Sequence, residues 1–334
     1  MTQTGPGVDG LDEVLRVENL HTHFHTREGV LKAVNGVSLS LRPGEVLGIV
    51  GESGCGKSVT ALSILQLVPH PGRIIEGAVY LEGRNIAELG GEELRRVRGR
   101  QISMIFQDPV SGLNPVLPIG TQVAELLTAH TQVSKRESRA LATTILRQVG
   151  LPDPETVMDR YPFQLSGGMC QRVMIGIATA LNPRVLIADE PTSALDVTIQ
   201  AQILDQLRRL TRERGTAIIL ITHDLGVVAQ IADEVAVMYA GSVVEQAPVA
   251  QLFEQPHHPY TRALLSALPR LDRSSRLQAI PGAPPNPIGL EDQCAFVPRC
   301  PKALLACRTN PRPALEAVGE GHRCACYNPV AYDW

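Results

Sequence analysis

The sequence lacks any uninterrupted apolar run of the roughly 18 residues that a membrane-crossing helix needs, so no transmembrane helix is expected. It also lacks a strong charge of either sign. Thirty-one Lys and Arg against 34 Asp and Glu leave a formal charge of −3, and no overall basic field argues for a nucleic-acid partner. The opening Met1–Gly10 has neither the basic region nor the apolar core of a secretory signal. The chain is therefore expected to be made and kept in the cytosol, and to act at a membrane only through a protein partner. No internal repeat is present, so whatever unit the chain contains occurs once. What it does have is 334 residues, 44% of them apolar. That suits a sizeable core, as two compact units or one domain with an extension.

The most informative segment runs Gly51-Glu52-Ser53-Gly54-Cys55-Gly56-Lys57-Ser58. It fits G-x-x-x-x-G-K-[ST], the phosphate-cradling P-loop. Val46–Val50 before it reads as a buried strand, and Val59–Gln66 after it as a helix. Glycines let successive backbone N–H groups turn toward one anion, and the helix N-terminus adds partial positive charge. Lys57 reaches β- and γ-phosphates in such a loop, and Ser58 ligates Mg²⁺. An ordinary Gly-rich turn would need neither the lysine nor the hydroxyl. The segment implies binding of a nucleoside triphosphate.

Residues 1–13 read as a flexible tail, and the pattern from Leu15 to about Arg100 is strand-rich. Further strand-like runs occur at Ile102–Phe106, Val185–Ala188, Ala217–Thr222 and Glu234–Tyr239, with helical patterns such as Val197–Glu213 between them. Alternating strands and helices argue for an α/β layer fold with a parallel sheet. The stretch of about 109–181 reads as a helical insert, with helical periodicity over Thr121–Thr131 and Lys135–Val149. A turn-rich linker, Pro281–Pro287, precedes a cysteine-rich end.

Val185–Glu190 is four apolar residues followed by two carboxylates. A buried strand ending this way sets its acids at the sheet's C-terminal edge, where α/β folds bind ligands. Asp189 would then hold Mg²⁺ through water, and Glu190 would polarise an attacking water as a general base. Leu165–Arg172 contains a second helix start suited to an anion, with Ser166 as N-cap and Gly167 and Gly168 allowing close backbone approach. One γ-phosphate rarely needs two such starts from one chain. The economical reading is a dimer, in which this helix serves the partner's nucleotide.

These residues together resemble the nucleotide-binding subunits of ABC transporters, over about residues 14–270. Gly51–Ser58 is similar to the Walker A motif, Gln107 to the Q-loop, Leu165–Gln171 to the signature and Val185–Glu190 to Walker B. Ser193–Asp196 is similar to the D-loop and His223 to the switch histidine. The resemblance implies a P-loop NTPase (RecA-like) core with an antiparallel β subdomain, a helical subdomain at about 109–181 and a C-terminal extension at 271–334. It implies ATP and Mg²⁺ as cofactors, with Ser58, Gln107 and Asp189 around the metal and Val59 closing the P-loop contacts. Phe24 stands where the family stacks an aromatic on adenine. A head-to-tail dimer is implied, each ATP lying between one chain's Walker A and the other's signature. Gln107 would contact Mg²⁺ or the lytic water, His223 the γ-phosphate and Asp196 the partner.

Phe106–Pro109, Leu113–Pro115, Asp196–Ile203, Ile221–Val228 and His258–Leu265 resemble the oligopeptide/dipeptide importer ATPases, and Gly29–Val34 with Ser58–Leu62 the D-type member of their D/F pair. That implies a homologous F-type ATPase, two membrane permeases and an extracytoplasmic binding protein as partners, at the cytoplasmic face of the cell membrane. Nickel importers share the subgroup, and no residue here contacts cargo. Soluble ABC ATPases are a rival class, but their tandem cassettes or long coiled-coil inserts are absent.

Cysteine is unevenly placed. Cys55 lies in the P-loop and Cys170 replaces the subgroup's usual arginine in the signature; both invite a redox role through a lowered thiol pKa near a helix start, against plain packing of a small side chain. The other five, Cys294, Cys300, Cys307, Cys324 and Cys326, crowd the end of the chain. In a reducing cytosol such a cluster argues for metal over disulfides. Cys294–Pro301 resembles the C-terminal extension of peptide-importer ATPases, some of which hold a [4Fe–4S] cluster. Cys294, Cys300, Cys307 and Cys324 are the expected ligands, with Zn²⁺ or no metal as alternatives. The expected role is to stabilise a short, Pro-rich end with little core of its own.

Overall fold

The computed structural model describes residues 13–193, 196–267 and 280–331. Most of the expected N-terminal tail, Ala194 and Leu195 of the D-loop, and the expected junction near 271 lie outside them.

Two sheets make the frame. The first is antiparallel. It contains β1 (Leu15–Thr26), β2 (Gly29–Leu41), β4 (Gly72–Leu81) and β5 (Arg84–Asn85), in the order β2-β1-β4-β5. The second holds β3 (Val46–Val50), β6 (Ile102–Ile105), β7 (Val185–Asp189), β8 (Ala217–Ile221), β9 (Glu234–Tyr239), β10 (Ser242–Pro248), β11 (Glu316–Gly319) and β12 (His322–Cys324). Its order is β11-β12-β10-β9-β3-β8-β7-β6, and the run β9-β3-β8-β7-β6 is parallel.

The parallel strands are where the sequence reads as unbroken apolar runs. β3, β7 and β8 are buried at every position, as strands covered on both faces must be. Their side chains alternate between two cores. Ile218 and Leu220 of β8 enter one cluster with the helices of the 109–181 region; Ala217, Ile219 and Ile221 enter the other, with Leu15, Val37 and Ile64.

Helices fill the connections: α1 (Lys57–Ile64), α2 (Gly91–Val97), α3 (Ile119–His130), α4 (Lys135–Gln148), α5 (Pro154–Val157), α6 (Gly167–Thr179), α7 (Val197–Arg214), α8 (Leu225–Ile231), α9 (Val249–Glu254), α10 (Pro259–Ser266) and α11 (Ala306–Thr309). Between β6 and β7 every named element is helical. α4 begins on a capping box, in which Ser134 accepts from Glu137 N–H and the Glu137 carboxylate accepts from Ser134 N–H. α7 ends at Gly215 in the left-handed region, at φ 65°.

The end of the chain differs from the expectation of a tail with little core. β12 pairs antiparallel with β10, Glu245 opposite Cys324, and β11 pairs with β12, so the extension adds strands to the central sheet. Phe296 is 2% exposed and packs against Tyr239, Tyr260 and His258. His322 Nε2 lies 2.7 Å from Glu245 Oε1 in a buried pair, and Glu245 also accepts from His257 and His258 N–H at 2.5 and 2.9 Å. The extension thus has its own polar and aromatic anchorage on the central sheet.

Candidate functional site

The P-loop joins β3 to α1 at the C-terminal edge of the parallel sheet. Two of its glycines are required by sterics. Gly51 has φ 151° and a Cβ there would come within 2.3 Å of Met238 O; Gly56 has φ 104° and its Cβ would come within 2.2 Å of Ala33 O. Ser53 and Gly54 stay exposed and Ser58 and Val59 half-buried at the start of α1. Lys57 is 7% exposed and folds back over the loop, donating to Gly51 O at 2.8 Å and Glu52 O at 3.0 Å.

A cavity of about 450 Å³ opens over this loop. Phe24 of β1, Ser58, Gln107 and Glu190 line it, together with Pro284, Pro285 and Pro287 from the linker. Those prolines carried no sequence signal for a site; only the docking of the linker brings them there.

Asp189 ends β7 and is 3% exposed. Burial pushes its carboxyl up, while a hydrogen bond from Ser58 opposes that rise. Its Oδ1 is buried without a hydrogen-bond partner. An orphaned carboxylate oxygen beside a serine hydroxyl at a P-loop fits an oxygen-preferring divalent cation such as Mg²⁺.

Glu190 follows in the left-handed region, at φ 47°, uncommon for a side-chain-bearing residue. Its N–H donates to Ile221 O at 2.8 Å. Two long-range contacts hold its carboxylate: Gln107 Nε2 donates to Oε2 at 3.2 Å, and His223 Nδ1 lies 3.1 Å from Oε1. A carboxylate can only accept, so the His223 proton in this pair is on Nδ1. The arrangement turns the Glu190 carboxylate and the P-loop toward one cavity, with Asp189 buried beside Ser58.

The signature is elsewhere. Ser166 caps α6 by accepting from Met169 N–H at 3.3 Å. Ser166 and Gly167 are exposed and Gly168 half-buried, and none of the three lines the cavity. Gln171, one turn on, is 3% exposed and donates to Pro191 O at 2.8 Å, tying α6 to the loop after Glu190. Asp196 caps α7 by accepting from Ile199 N–H at 3.0 Å and is also outside the cavity.

The thiols divide into two groups. Cys55 is 5% and Cys170 0% exposed, and burial pushes both thiols up. Cys170 donates to Pro162 O at 3.5 Å. Burial and the raised thiols argue against a low-pKa redox role and for packing of a small side chain, in the P-loop at Cys55 and within α6 at Cys170. In the extension, Cys294, Cys300, Cys307 and Cys326 lie within electrostatic reach of one another; burial first, then these neighbours, push Cys326 up to about 11. Cys324 sits on β12 opposite Glu245, and its thiol is pushed up by burial first, then by that carboxylate and by Cys326. Cys324 is the last residue of β12, and Cys326 lies beyond the end of that strand. Among the described residues, no three Cys, His, Asp or Glu side chains are drawn to metal-ligand spacing. No helix among them is long and apolar enough to cross a membrane.

Residues 34–193 match the model of the family described as ABC transporter, and residues 244–307 that of the oligopeptide/dipeptide transporter C-terminal region. The chain is 50% identical to the probable peptide ABC transporter ATP-binding protein y4tR of Sinorhizobium fredii, covering 95% of each chain. It is 47% identical to the oligopeptide transport ATP-binding protein AppD of Bacillus subtilis, covering 95% of this chain and 97% of that one. Among solved structures, it is similar to the ATP-binding cassette MJ0796, a dimer bound to ADP and Pi, with TM-score 0.64 and 30% identity over 70% of this chain and 98% of the other.

Proposed function

This chain belongs to the ABC transporter ATP-binding proteins of the oligopeptide/dipeptide type, and on that premise we propose that it hydrolyses ATP to drive uptake of di- or oligopeptides. The observation that carries the hydrolytic part is the bracketing of Glu190 by Gln107 and His223 at the mouth of the P-loop cavity. The peptide cargo rests on the relatives.

In this reading the P-loop N–H groups bind the phosphates, and Lys57 leaves Gly51 O and Glu52 O for their oxygens. Phe24 stacks on the base. Ser58, Asp189 and Gln107 would hold Mg²⁺, which when bound neutralises charge on the β- and γ-oxygens. Glu190 takes a proton from the attacking water as its oxygen adds to the γ-phosphorus; the bond to the β–γ bridging oxygen breaks and ADP leaves with that electron pair. His223 keeps Glu190 oriented and meets the γ-phosphate. Catalysis is then chiefly positioning and electrostatic stabilisation.

The exposed Ser166 and Gly167 support a head-to-tail dimer in which this signature closes a partner's P-loop, and Asp196 faces that partner. We assign the partner as a homologous F-type ATPase, with two permeases and an extracytoplasmic binding protein completing an importer whose cytoplasmic face this chain occupies. Purification from native membrane tests this. Two permeases and a second ATPase should co-purify, and the reconstituted complex should take up labelled peptide when ATP is supplied. Uptake of Ni²⁺ instead, a self-dimer without a second ATPase, or retention on ribosomes would each replace the corresponding part.

We also infer that the extension holds a thiolate-bound group, [4Fe–4S] or Zn²⁺, by Cys294, Cys300, Cys307 and Cys326. Four thiols within electrostatic reach of one another fit such a group in number and kind, and it would cross-link the loop to the segment that follows β12. Iron, zinc and sulfide analysis of Cys326→Ser and Cys324→Ser tests it: only the former should lose the group.

A further inference from the structure

Glu52, the second residue of the P-loop, is held on three sides. Its N–H donates to Tyr260 Oη at 2.9 Å and its carbonyl accepts from Lys57 at 3.0 Å. Its carboxylate is gripped from far along the chain: Arg299 Nη1 donates to Oε2 at 2.6 Å and Nη2 to Oε1 at 2.9 Å. This is a two-point, fork-to-fork pair, the geometry that adds direction to charge. The Arg299 side chain is 3% exposed. Its remaining donors are spent on Pro281 O at 2.9 Å and Tyr239 Oη at 3.3 Å. Nothing in the established nucleotide motifs uses this arginine.

The same segment of chain touches the nucleotide cavity a second time. Pro284, Pro285 and Pro287 line it, and Ile288 forms an antiparallel bridge with Leu31 of β2. The linker is seated so closely there that a Cβ on Gly29 would come within 2.8 Å of Ile288 Cγ2. The extension is therefore one wall of the cavity and, through Arg299, a brace on its floor.

We propose that Arg299 is a positioning residue for the nucleotide site: its two-point pair with Glu52 fixes the P-loop backbone and makes nucleotide affinity depend on the docked C-terminal extension. The proposal rests on the reading of the P-loop cavity as the ATP site. The physical reason lies in what ATP must change. Lys57 has to release Gly51 O and Glu52 O to reach the phosphates, which removes one of the three restraints on Glu52. The Arg299 pair and the Tyr260 bond remain, so the loop keeps its cradle as the lysine moves. An ion pair with one partner buried adds little net stability over apolar packing; its geometric constraint is what the site uses.

The test uses the full chain and measures ATP dissociation constants with Mg²⁺ alongside thermal midpoints without nucleotide. Arg299→Gln and Glu52→Gln should each weaken ATP about tenfold, a typical coupling between sites. The double variant should be no weaker than either single, because both break one pair. Should Arg299→Gln fail to fold, Arg299→Lys keeps the charge and loses the fork, and an affinity loss of about threefold or more is expected. ATP affinity within twofold of the parent in a folded Arg299 variant, or losses that multiply in the double variant, would overturn the proposal. Lys57→Ala separates the two levels. If it leaves ATP binding intact, the ATP site itself has been misplaced; if it abolishes binding while Arg299 variants do not alter it, only the positioning role fails.

Discussion

His223 Nδ1 lies 3.1 Å from Glu190 Oε1, although 33 residues separate them in the chain. Gln107 donates to the other oxygen of the same carboxylate. The pair places a residue from the end of β8 against one from the end of β7, which are adjacent parallel strands.

Replacing Glu190 by Gln removes the proton acceptor and keeps the shape. ATP binding should persist near the parent affinity, while turnover should fall by about 10²–10⁴, the usual share of a general base. Phosphate release beside equilibrium nucleotide binding checks this, and full activity in the variant would remove Glu190 from the base role.

Asp189→Asn takes the negative charge from the buried oxygen that has no hydrogen-bond partner. Mg²⁺-dependent tightening of ATP should disappear while metal-free binding changes little. Burial already disfavours the charged carboxylate, so the neutral amide should leave the thermal midpoint unchanged or raised. Titration with Mn²⁺ as a spectroscopic stand-in reads the metal site directly.

Gly167→Asp separates monomer from dimer. A Cβ at Gly167 meets nothing within 4 Å, and an acid in the first turn of α6 suits its dipole. The isolated chain should be as stable as the parent, within about 0.5 kcal/mol. ATP turnover in the assembled complex should be lost, because the acid would face the partner's phosphates. Retained turnover would leave the signature without a role across the dimer.

His258 gives a pH signature. It is fully buried, and burial lowers its pKa from 6.5 to about 4. Its Nδ1 accepts from Tyr260 N–H at 3.1 Å, which requires the neutral ring. The unfolded chain therefore binds the extra proton between pH 6.5 and 4, and this residue's contribution is present above that window and lost as pH falls through it. The full shift corresponds to about 3 kcal/mol. Urea midpoints against pH should fall across the window, and His258→Asn should flatten that part of the slope.

The local parts of this molecule were legible in the sequence because each depends on residues only a few positions apart. The P-loop needs its glycines, lysine and serine in one short run; the apolar runs of β3, β7, β8 and β9 mark strands buried on both faces; Ser166 is a cap that precedes its helix by one residue. What the sequence could not assign depended on which strands become neighbours. Only the order β9-β3-β8-β7-β6 brings Gln107 and His223 to Glu190. The strand pairing of β12 with β10 sets Cys324 against Glu245 and leaves Cys326 with the other three thiols. Arg299 meets Glu52 across 247 residues, with no periodicity, cap or motif to announce it. Side-chain pairing at such range is set by sheet addition and the docking of a proline-rich linker, and those are decided by the packing of the whole chain.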